Sequence, residues 1–353
     1  MTWRDVVPFA VGWTCGWVLC WRTLRLPALR CGAERPGAAV LVPARNEAAA
    51  LPALLASVVP QLRPGDELVV VDDSSTDGTA AVAAAAGARV LTAPPLPAGW
   101  TGKTSALHHG VARTAAPVLV FLDADVVLAA GALDRLVTVA AEPGDAWLVT
   151  VQPWHAMVRA SEQLSVPFNL LAVAGTGLAA PWGGRVRPRV AFGPVVAVRR
   201  DGYLAAGGHA HPDVRSRVTE DIGLARRFHG RVHVAQGRGL ASFRMYPDGP
   251  RSVLEGWTKS IAAGAASTPW WALLLAVAWV WSMVGAPFAG WPCWLAGAAQ
   301  VWLLGRRVGA VRWWAALLTP LLALWFLAVL GRSAWRRLRR RPVAWRGRDV
   351  PPA

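Results

Sequence analysis

Three apolar runs that end in acids constrain this chain more than any other feature. "AAVLVPA" (Ala38–Ala44) runs into Asn46 and Glu47, "ELVVVDD" (Glu67–Asp73) ends on two aspartates, and "VLVFLDADV" (Val118–Val126) carries Asp123 and Asp125. Short, Val- and Leu-rich runs of this kind are what strands buried on both faces look like. Helix patterns separate them. "EAAALPALLASVV" (Glu47–Val59) follows the first run, and "TDGTAAVAAAAG" follows the second and is closed by Gly87. Strand, helix and strand in repetition predict an α/β layer with a parallel sheet. Ligands of such sheets sit beyond the C-terminal strand ends. Asn46–Glu47, Asp72–Asp73 and Asp123–Asp125 all fall there.

The flanks are different. Hydrophobic residues make up 54% of the 353, with 21 tryptophans, and the mean hydropathy is +0.34. Val6–Trp21 is apolar, and "RTLRLPALR" follows it in place of a small-x-small cleavage site. An uncleaved anchor is the reading, with a signal peptide as the alternative. Arg22, Arg25, Arg30 and Arg35 follow this segment and only Arg4 precedes it, which by the positive-inside rule places the α/β domain in the cytoplasm. Trp270–Phe288 and Trp313–Leu330 have spanning length, and the shorter Trp291–Leu304 reads as a span or a re-entrant segment. The net charge is +16, and from Arg306 onward eleven arginines face one acid, Asp349. A basic run beside apolar segments predicts attraction to anionic lipid rather than to nucleic acid. The expected organisation is an anchor over 1–24, an α/β domain over 38–265, transmembrane or re-entrant helices over 269–331 and a basic tail over 332–353. That is a multi-pass cell-membrane protein. Cys15, Cys20, Cys31 and Cys293 form no C-x-x-C pair, so neither a disulfide framework nor a zinc site is supported.

Lysine occurs twice, at 103 and 259. "PLPAGWTGKTSALHHG" (Pro95–Gly110) presents Gly102-Lys103-Thr104, which looks like part of a P-loop. The glycine such a loop needs is replaced by Pro97, which has no N–H to offer a phosphate. Lys103 on a loop after the second strand therefore needs another partner. In "DAD", side chains two apart on a strand point the same way, and two carboxylates at a strand tip suit a hard cation such as Mg²⁺ or Mn²⁺. In "VTEDIGLARRF", Thr219 reads as a helix N-cap with Glu220 and Asp221 in the first turn. The helix dipole favours their ionised forms. Asp77 reads as the cap of the helix after the second strand.

In order, "VPARNEAAALPALLASV", "VVVDDSSTDGTA", "FLDADV" and "TEDIGLARR" resemble the family 2 glycosyltransferases, whose Rossmann-like fold is called GT-A. The resemblance covers about Ala38 to Ala265. More narrowly, "GWTGKTSALHHG" with the apolar flanks is similar to the membrane glycosyltransferases of carotenoid and hopanoid pathways, the 4,4'-diaponeurosporenoate glycosyltransferases among them. The resemblance implies a GT-A mixed sheet flanked by helices, Glu47 and Asp73 on the nucleotide, Asp123 toward the ribose, Asp125 on the metal and Lys103 near the donor diphosphate. It implies Asp221 as general base, with Glu220 beside it. "GPVVAVRRDGYLAAGGHA" (Gly193–Ala210) resembles the acceptor-side segment, with Gly207, Gly208 and His209, and with His211 just beyond. Trp257 and Lys259 fall where processive members carry Q-x-x-R-W. Here Val253, Gly256 and Trp257 stand in that window, so only the tryptophan matches, which favours a single transfer. The expected function is an inverting enzyme moving one sugar from a nucleotide donor, a UDP-sugar, to a membrane lipid, with no nucleic-acid partner. A polyprenyl phosphate is the alternative acceptor. A catalytically silent scaffold is the rival class, against which the intact acids at 123, 125 and 221 speak.

Overall fold

A computed structural model of the chain describes residues 3–27, 35–142, 148–229, 231–339, 343–345 and 348–350. Arg30, Cys31 and several residues of the basic tail lie outside these. The chain forms two compact units. An α/β unit comprises Arg25–Pro153 and Arg187–Phe243, and a helical unit comprises Met1–Leu24, Trp154–Val186 and Arg244–Ala353. The segments 154–186 and 244–265, expected within the α/β domain, thus belong to the helical unit.

The elements run in chain order. Helix α1 (Trp3–Leu19) precedes β1 (Ala38–Ala44), α2 (Leu51–Val58), β2 (Glu67–Asp72), α3 (Thr79–Ala85), β3 (Arg89–Thr92), α4 (Gly102–Val111), β4 (Val118–Leu122) and β5 (Val126–Leu128). Then come α5 (Ala132–Ala141), β6 (Leu148–Gln152), β7 (Trp154–His155), α6 (Val166–Ala174), β8 (Val195–Arg199), α7 (Arg200–Ala205), α8 (Pro212–Arg215), α9 (Glu220–Arg227), β9 (Val232–Gln236) and β10 (Ala241–Phe243). The chain continues through α10 (Pro250–Ala266), α11 (Trp270–Gly285), α12 (Trp291–Gly305), α13 (Trp313–Leu317) and α14 (Thr319–Leu338).

The α/β unit is built on a seven-stranded sheet in the order β3-β2-β1-β4-β8-β6-β9. β1 pairs in parallel with β2 and β4, whereas β8 runs antiparallel to β4 and β6. The sheet is therefore mixed, as the resemblance implied, and not purely parallel. Every residue of β4 and β6 is buried, which accounts for the unbroken apolar run of β4. β1 and β2 end level, Ala44 opposite Asp72. This alignment brings two polar loops together. The expected helix from Glu47 starts only at Leu51, because 48–50 form a turn.

The helical unit corrects the expected multi-pass membrane location. No helix among the described residues is long and apolar enough to cross a membrane. The apolar runs are real, but the helices that carry them are short. α11 has 16 residues and α12 has 15. At 1.5 Å per residue they reach about 24 Å, against a hydrocarbon core of about 30 Å. Pro287 and Gly290 interrupt the chain between them, and Pro292 stands in the first turn of α12. α14 has 20 residues, but its last turns carry Arg332, Arg336 and Arg337. α1 has 17 and contains Pro8. It packs on α11 through Gly12 and Gly16, where an added Cβ would lie 2.2 Å from the Ala278 carbonyl oxygen and 2.4 Å from Trp279 Nε1. α1 is thus part of a helix bundle. α6 is a core helix, with Phe168, Asn169 and Leu170 buried. Cys15, Cys20 and Cys293 are buried free thiols.

Candidate active site

The site begins with the level tips of β1 and β2. Four side chains tie the two loops together. The Asn46 N–H donates to Ser75 Oγ at 3.0 Å, Glu47 N–H to Thr79 Oγ1 at 2.8 Å, and Ala48 N–H to Asp77 Oδ2 at 3.1 Å. In return Thr76 N–H donates to Asn46 Oδ1 at 2.8 Å. Asn46 and Ser74 both adopt left-handed backbone, at φ 54° and 57°, a strain that persists only where surroundings enforce it. The result is a rigid polar cradle in which Glu47, Asp72 and Asp73 are buried. Asp73 N–H donates to the Ala44 carbonyl at 2.8 Å, and Arg45 Nη1 donates to the Asp73 carbonyl at 2.7 Å. The N-cap position of α3 is Gly78 rather than the expected Asp77, which stands one residue earlier and accepts from Thr79 N–H at 3.0 Å. Ser75, Thr76 and Thr79 went unrecognised in the sequence, and Asn46 was noted only for its place at a strand end. The signal was the density of short polar side chains after both strands, the residue types that hydrogen-bond nearby backbone.

The "DAD" segment differs from its sequence reading. Asp123–Asp125 form a turn joining β4 to β5, closed by Val126 N–H donating to the Asp123 carbonyl at 3.1 Å. Strand alternation therefore says nothing of the two carboxylates. Their environments do. Asp123 Oδ1 is 2.7 Å from Lys103 Nζ. No group of three His, Cys, Asp or Glu side chains among the described residues is gathered to hold a metal.

Lys103 is placed differently too. It stands in the first turn of α4, not on a loop. Thr101 caps this helix, with Thr104 returning a bond in a capping box. The ammonium meets protein rather than open space. It lies 2.7 Å from Asp123 Oδ1, 2.8 Å from Glu220 Oε1 and 3.4 Å from the Gly193 carbonyl oxygen. These three acceptors match the three protons of an ammonium. Burial disfavours the charge, but the Asp123 and Glu220 carboxylates outweigh it and raise the lysine's proton affinity above its ordinary value.

Glu220 and Asp221 open α9, with Thr219 at the N-cap position but making no side-chain cap bond. Glu220 is buried against Lys103. Asp221 Oδ2 accepts from Gly193 N–H at 2.8 Å, and Oδ1 from Ile222 N–H at 2.9 Å. Burial and the adjacent Glu220 charge push the Asp221 carboxyl up to about 7, against the smaller opposing pulls of Lys103 and the two N–H donors. Burial thus works against the helix dipole, which the sequence argument took as favouring the ionised form. Gly193 sits at the centre of this cluster. A Cβ there would be 3.2 Å from Lys103 Nζ and 3.3 Å from both Asp221 Oδ2 and Glu220 Oε1.

The acceptor-side candidates do not join the cluster. His209 is 3% exposed, bonded through Nδ1 to the Tyr203 hydroxyl at 2.8 Å, and edge-on to Phe121. Burial, helped by Lys103 and His108, lowers its pKa to about 3. It is a neutral packing residue. Gly207 and Gly208 have positive φ, and a side chain at 208 would strike the Tyr203 ring. His211 caps α8, accepting from Asp213 N–H at 3.1 Å. Trp257 and Lys259 lie on α10 of the helical unit, where Trp257 stacks on Phe168 with ring centroids 4.8 Å apart and donates to Ser165 Oγ at 3.0 Å.

The mixed sheet thus presents at its strand tips a polar cradle, an acidic turn and a helix that opens on two acids. The family model "Glycosyl transferase family 2" matches residues 39–169. A 4,4'-diaponeurosporenoate glycosyltransferase of Staphylococcus aureus (strain MRSA252) is 30% identical over 356 residues, covering 95% of this chain and 94% of the relative. One from Staphylococcus haemolyticus (strain JCSC1435) is 35% identical over 247 residues, covering 68% of this chain and 65% of the relative, just under two thirds of its length. The chain belongs to glycosyl transferase family 2. Among solved structures, a mannosyltransferase from Pyrobaculum calidifontis in complex with GDP-Man and Mn²⁺ superposes with a TM-score of 0.58 over 94% of this chain and 98% of that one. At 19% identity that likeness speaks for the fold alone.

Proposed function

We propose that this glycosyltransferase moves a single sugar from a nucleotide-sugar donor to an apolar lipid acceptor, with inversion at the anomeric carbon. The observation that carries the reading is the setting of Asp221. It is fixed by Gly193 and Ile222 N–H groups, it stands beside the Lys103–Glu220–Asp123 cluster, and its pKa lies near neutrality. A general base works best with a pKa near the working pH.

In this reading the nucleotide lies in the cradle of the β1 and β2 tips, with Glu47 and Asp73 on the base side and Asp123 toward the ribose. A divalent cation, Mg²⁺ or Mn²⁺, would be held by the Asp125 carboxylate together with donor phosphate oxygens, and would neutralise the departing diphosphate. A single protein carboxylate suits that arrangement, and a cage made wholly of protein side chains does not. Lys103, kept charged by its two carboxylates, adds a point charge for the diphosphate while holding Glu220 next to Asp221. Asp221 accepts the proton of an acceptor hydroxyl as its oxygen attacks the anomeric carbon, and the nucleoside diphosphate leaves from the opposite face. Only Trp257 matches the Q-x-x-R-W of processive members, which supports one transfer rather than a polymer.

The test uses purified protein, radiolabelled nucleotide-sugars and a lipid extract. A thermal-shift panel with Mn²⁺, led by UDP-sugars and including GDP-sugars, selects the donor. Label should enter the organic phase and should not do so with Asp125→Asn. Label confined to water-soluble product would overturn the lipid acceptor, and a complete absence of donor hydrolysis would favour a silent scaffold. A second reading is favoured by the relatives' printed name, which denotes a carboxylate acceptor. Carboxylates and polyprenyl phosphates are ionised at neutral pH, so they need no base. Asp221→Asn would then keep most of its turnover.

A further inference from the structure

Lys103 is flanked by threonines that do more than start a helix. Thr101 and Thr104 close the capping box of α4, with Thr104 N–H donating to Thr101 Oγ1 and Thr101 N–H to Thr104 Oγ1, both at 3.2 Å. A glutamate at the second position would close the same box. A hydroxyl differs from a carboxylate in having a proton of its own to give, and Thr104 is fully buried. Its hydroxyl donates to the Arg215 carbonyl oxygen at 2.7 Å, closer than the Thr101 carbonyl oxygen at 3.0 Å.

Arg215 is the last residue of α8, so its carbonyl has no partner within that helix. It takes two bonds from the start of α4 instead, one from Thr104 Oγ1 and one from Thr101 N–H at 2.9 Å. The arginine side chain turns the same way. Its guanidinium carbon is 6.0 Å from the centre of the Trp100 ring, which lies 5.3 Å from the His108 ring. Asp221 follows six residues on, and 216–219 between them form neither helix nor strand. The far end of this segment is held by α4 again, through the 2.8 Å ion pair of Lys103 with Glu220. The first turn of α4 therefore grips both ends of the segment that leads into Asp221. At Arg215 the grip is neutral, and at Glu220 it is charged.

We propose that Thr104 is a positioning residue for sugar transfer, its hydroxyl clamping the segment that carries Asp221. The inference rests on the reading of Asp221 as general base for its catalytic consequence, and on the two bonds to Arg215 alone for the clamp. A base acts only from within hydrogen-bond reach of the proton it takes. The Lys103 ammonium sits on a flexible stem and attracts without fixing direction. Two donors on one carbonyl, both from a capped helix start, fix direction as well as distance. The nucleotide cradle lies at the tips of β1 and β2, which the clamp does not touch. Loss of the clamp should therefore act on turnover and not on donor binding.

The test compares four substitutions in the full-length chain. Thr104→Val removes the hydroxyl and keeps the shape, and Thr104→Ser restores it. Thr101→Ala separates capping from clamping, since it removes the cap hydroxyl and leaves both bonds to Arg215. It should lower the melting point, as a lost cap does, and keep its kcat. Thermal melting shows which variants fold, and Thr104→Ala stands in for valine if that one does not. Amide hydrogen exchange, measured without ligand, should quicken over Ser216–Gly223 in Thr104→Val and stay near wild type in Thr104→Ser and Thr101→Ala. Transfer is read with radiolabelled UDP-sugars and a lipid extract. Thr104→Val should lose about tenfold in kcat, a fraction of the roughly hundredfold cost of a misplacement of about 1 Å. Its donor KM should stay within about twofold of wild type, and Thr104→Ser should recover most of the rate. Wild-type exchange in folded Thr104→Val, or an equal loss of kcat in Thr101→Ala, would overturn the clamp. If Asp221→Asn is inactive and Thr104→Val turns over like wild type, the base stands and the positioning role is wrong. Failure of the parent reading looks different: Asp221→Asn keeps its turnover while Thr104→Val still quickens exchange.

Discussion

The two units use their few polar side chains in opposite ways. In the α/β unit they converge. Lys103, Asp123, Glu220 and Asp221 come from a helix start, a turn and a second helix start, and an added Cβ on Gly193 would lie 3.2–3.3 Å from Lys103, Glu220 and Asp221. In the helical unit polar side chains stitch the frame. Gln300 ties α12 to α1 and α11, and Trp294 Nε1 donates to the Leu317 carbonyl at 2.8 Å. Gln163 spans from its loop to 310 and 312, and buried Glu162 meets Arg244 at 2.8 Å. The first unit spends its charge on reactivity and leaves it partly exposed. The second uses its polar side chains, most of them uncharged, for connection. The difference shows that a polar residue buried in an apolar setting is informative only once its partner is known.

The strongest way to break this comparison is to empty the reactive cluster. Asp125→Asn, or excess chelator on wild type, should reduce transfer by about a thousandfold or more, since charge neutralisation by a metal is worth several kcal/mol. Initial rates with and without EDTA check it, and full activity in EDTA would remove the metal from the account. Asp221→Asn should cost about 10²–10⁴ in turnover, the usual worth of a general base, while calorimetry shows unchanged donor affinity. The proton affinity of Asp221 supplies a pH test. The base works in its deprotonated form, so kcat/KM should fall with acidity below a midpoint at about 7 and level off above it. A profile flat from about pH 5 to 8 would assign the base elsewhere or favour an ionised acceptor. Gly193→Ala should lower turnover by roughly tenfold, because displacing the three charged atoms by a few tenths of an ångström is a fraction of the misplacement that costs about a hundredfold. Its melting point should hardly move. On the other side of the comparison, Gly12→Val overpacks α1 against Ala278 and should cost about 1–3 kcal/mol of stability, read by thermal melting.

Much of the α/β unit was legible because burial on both faces leaves an unmistakable record. The cores of β1, β2 and β4 are runs of Val, Leu and Ala, and their ends are marked by the first polar residue. The acids at 123 and 125 were marked in the same way, at the end of an apolar run, whereas those at 220 and 221 were read from a helix start. What Lys103 touches was not. Its partners lie on elements far along the chain, and no local pattern encodes a contact made by sheet order. The turn at Asp123–Asp125 was hidden because an apolar run does not announce a bend inside it. The flanking apolar runs were read as membrane spans since hydropathy registers composition, whereas helix length is decided by Pro and Gly breaks and by where the arginines of α14 begin. The pairs Gly12–Ala278 and Gly16–Trp279 explain why α1 needs small residues on one face, something visible only once its neighbour is known.

Lysine scarcity has a practical consequence. The chain has two lysines, and one of them is Lys103. Growth on lysine ¹³C-labelled at Cε marks both lysines with a reporter carbon and leaves their ammonium protons in place. In this protein it would yield a spectrum with only two side-chain resonances. One of them would lie within a few ångströms of Asp123 and Glu220. Its chemical shift would follow donor binding and metal exchange directly, in a protein too large for crowded amide spectra to be read with ease.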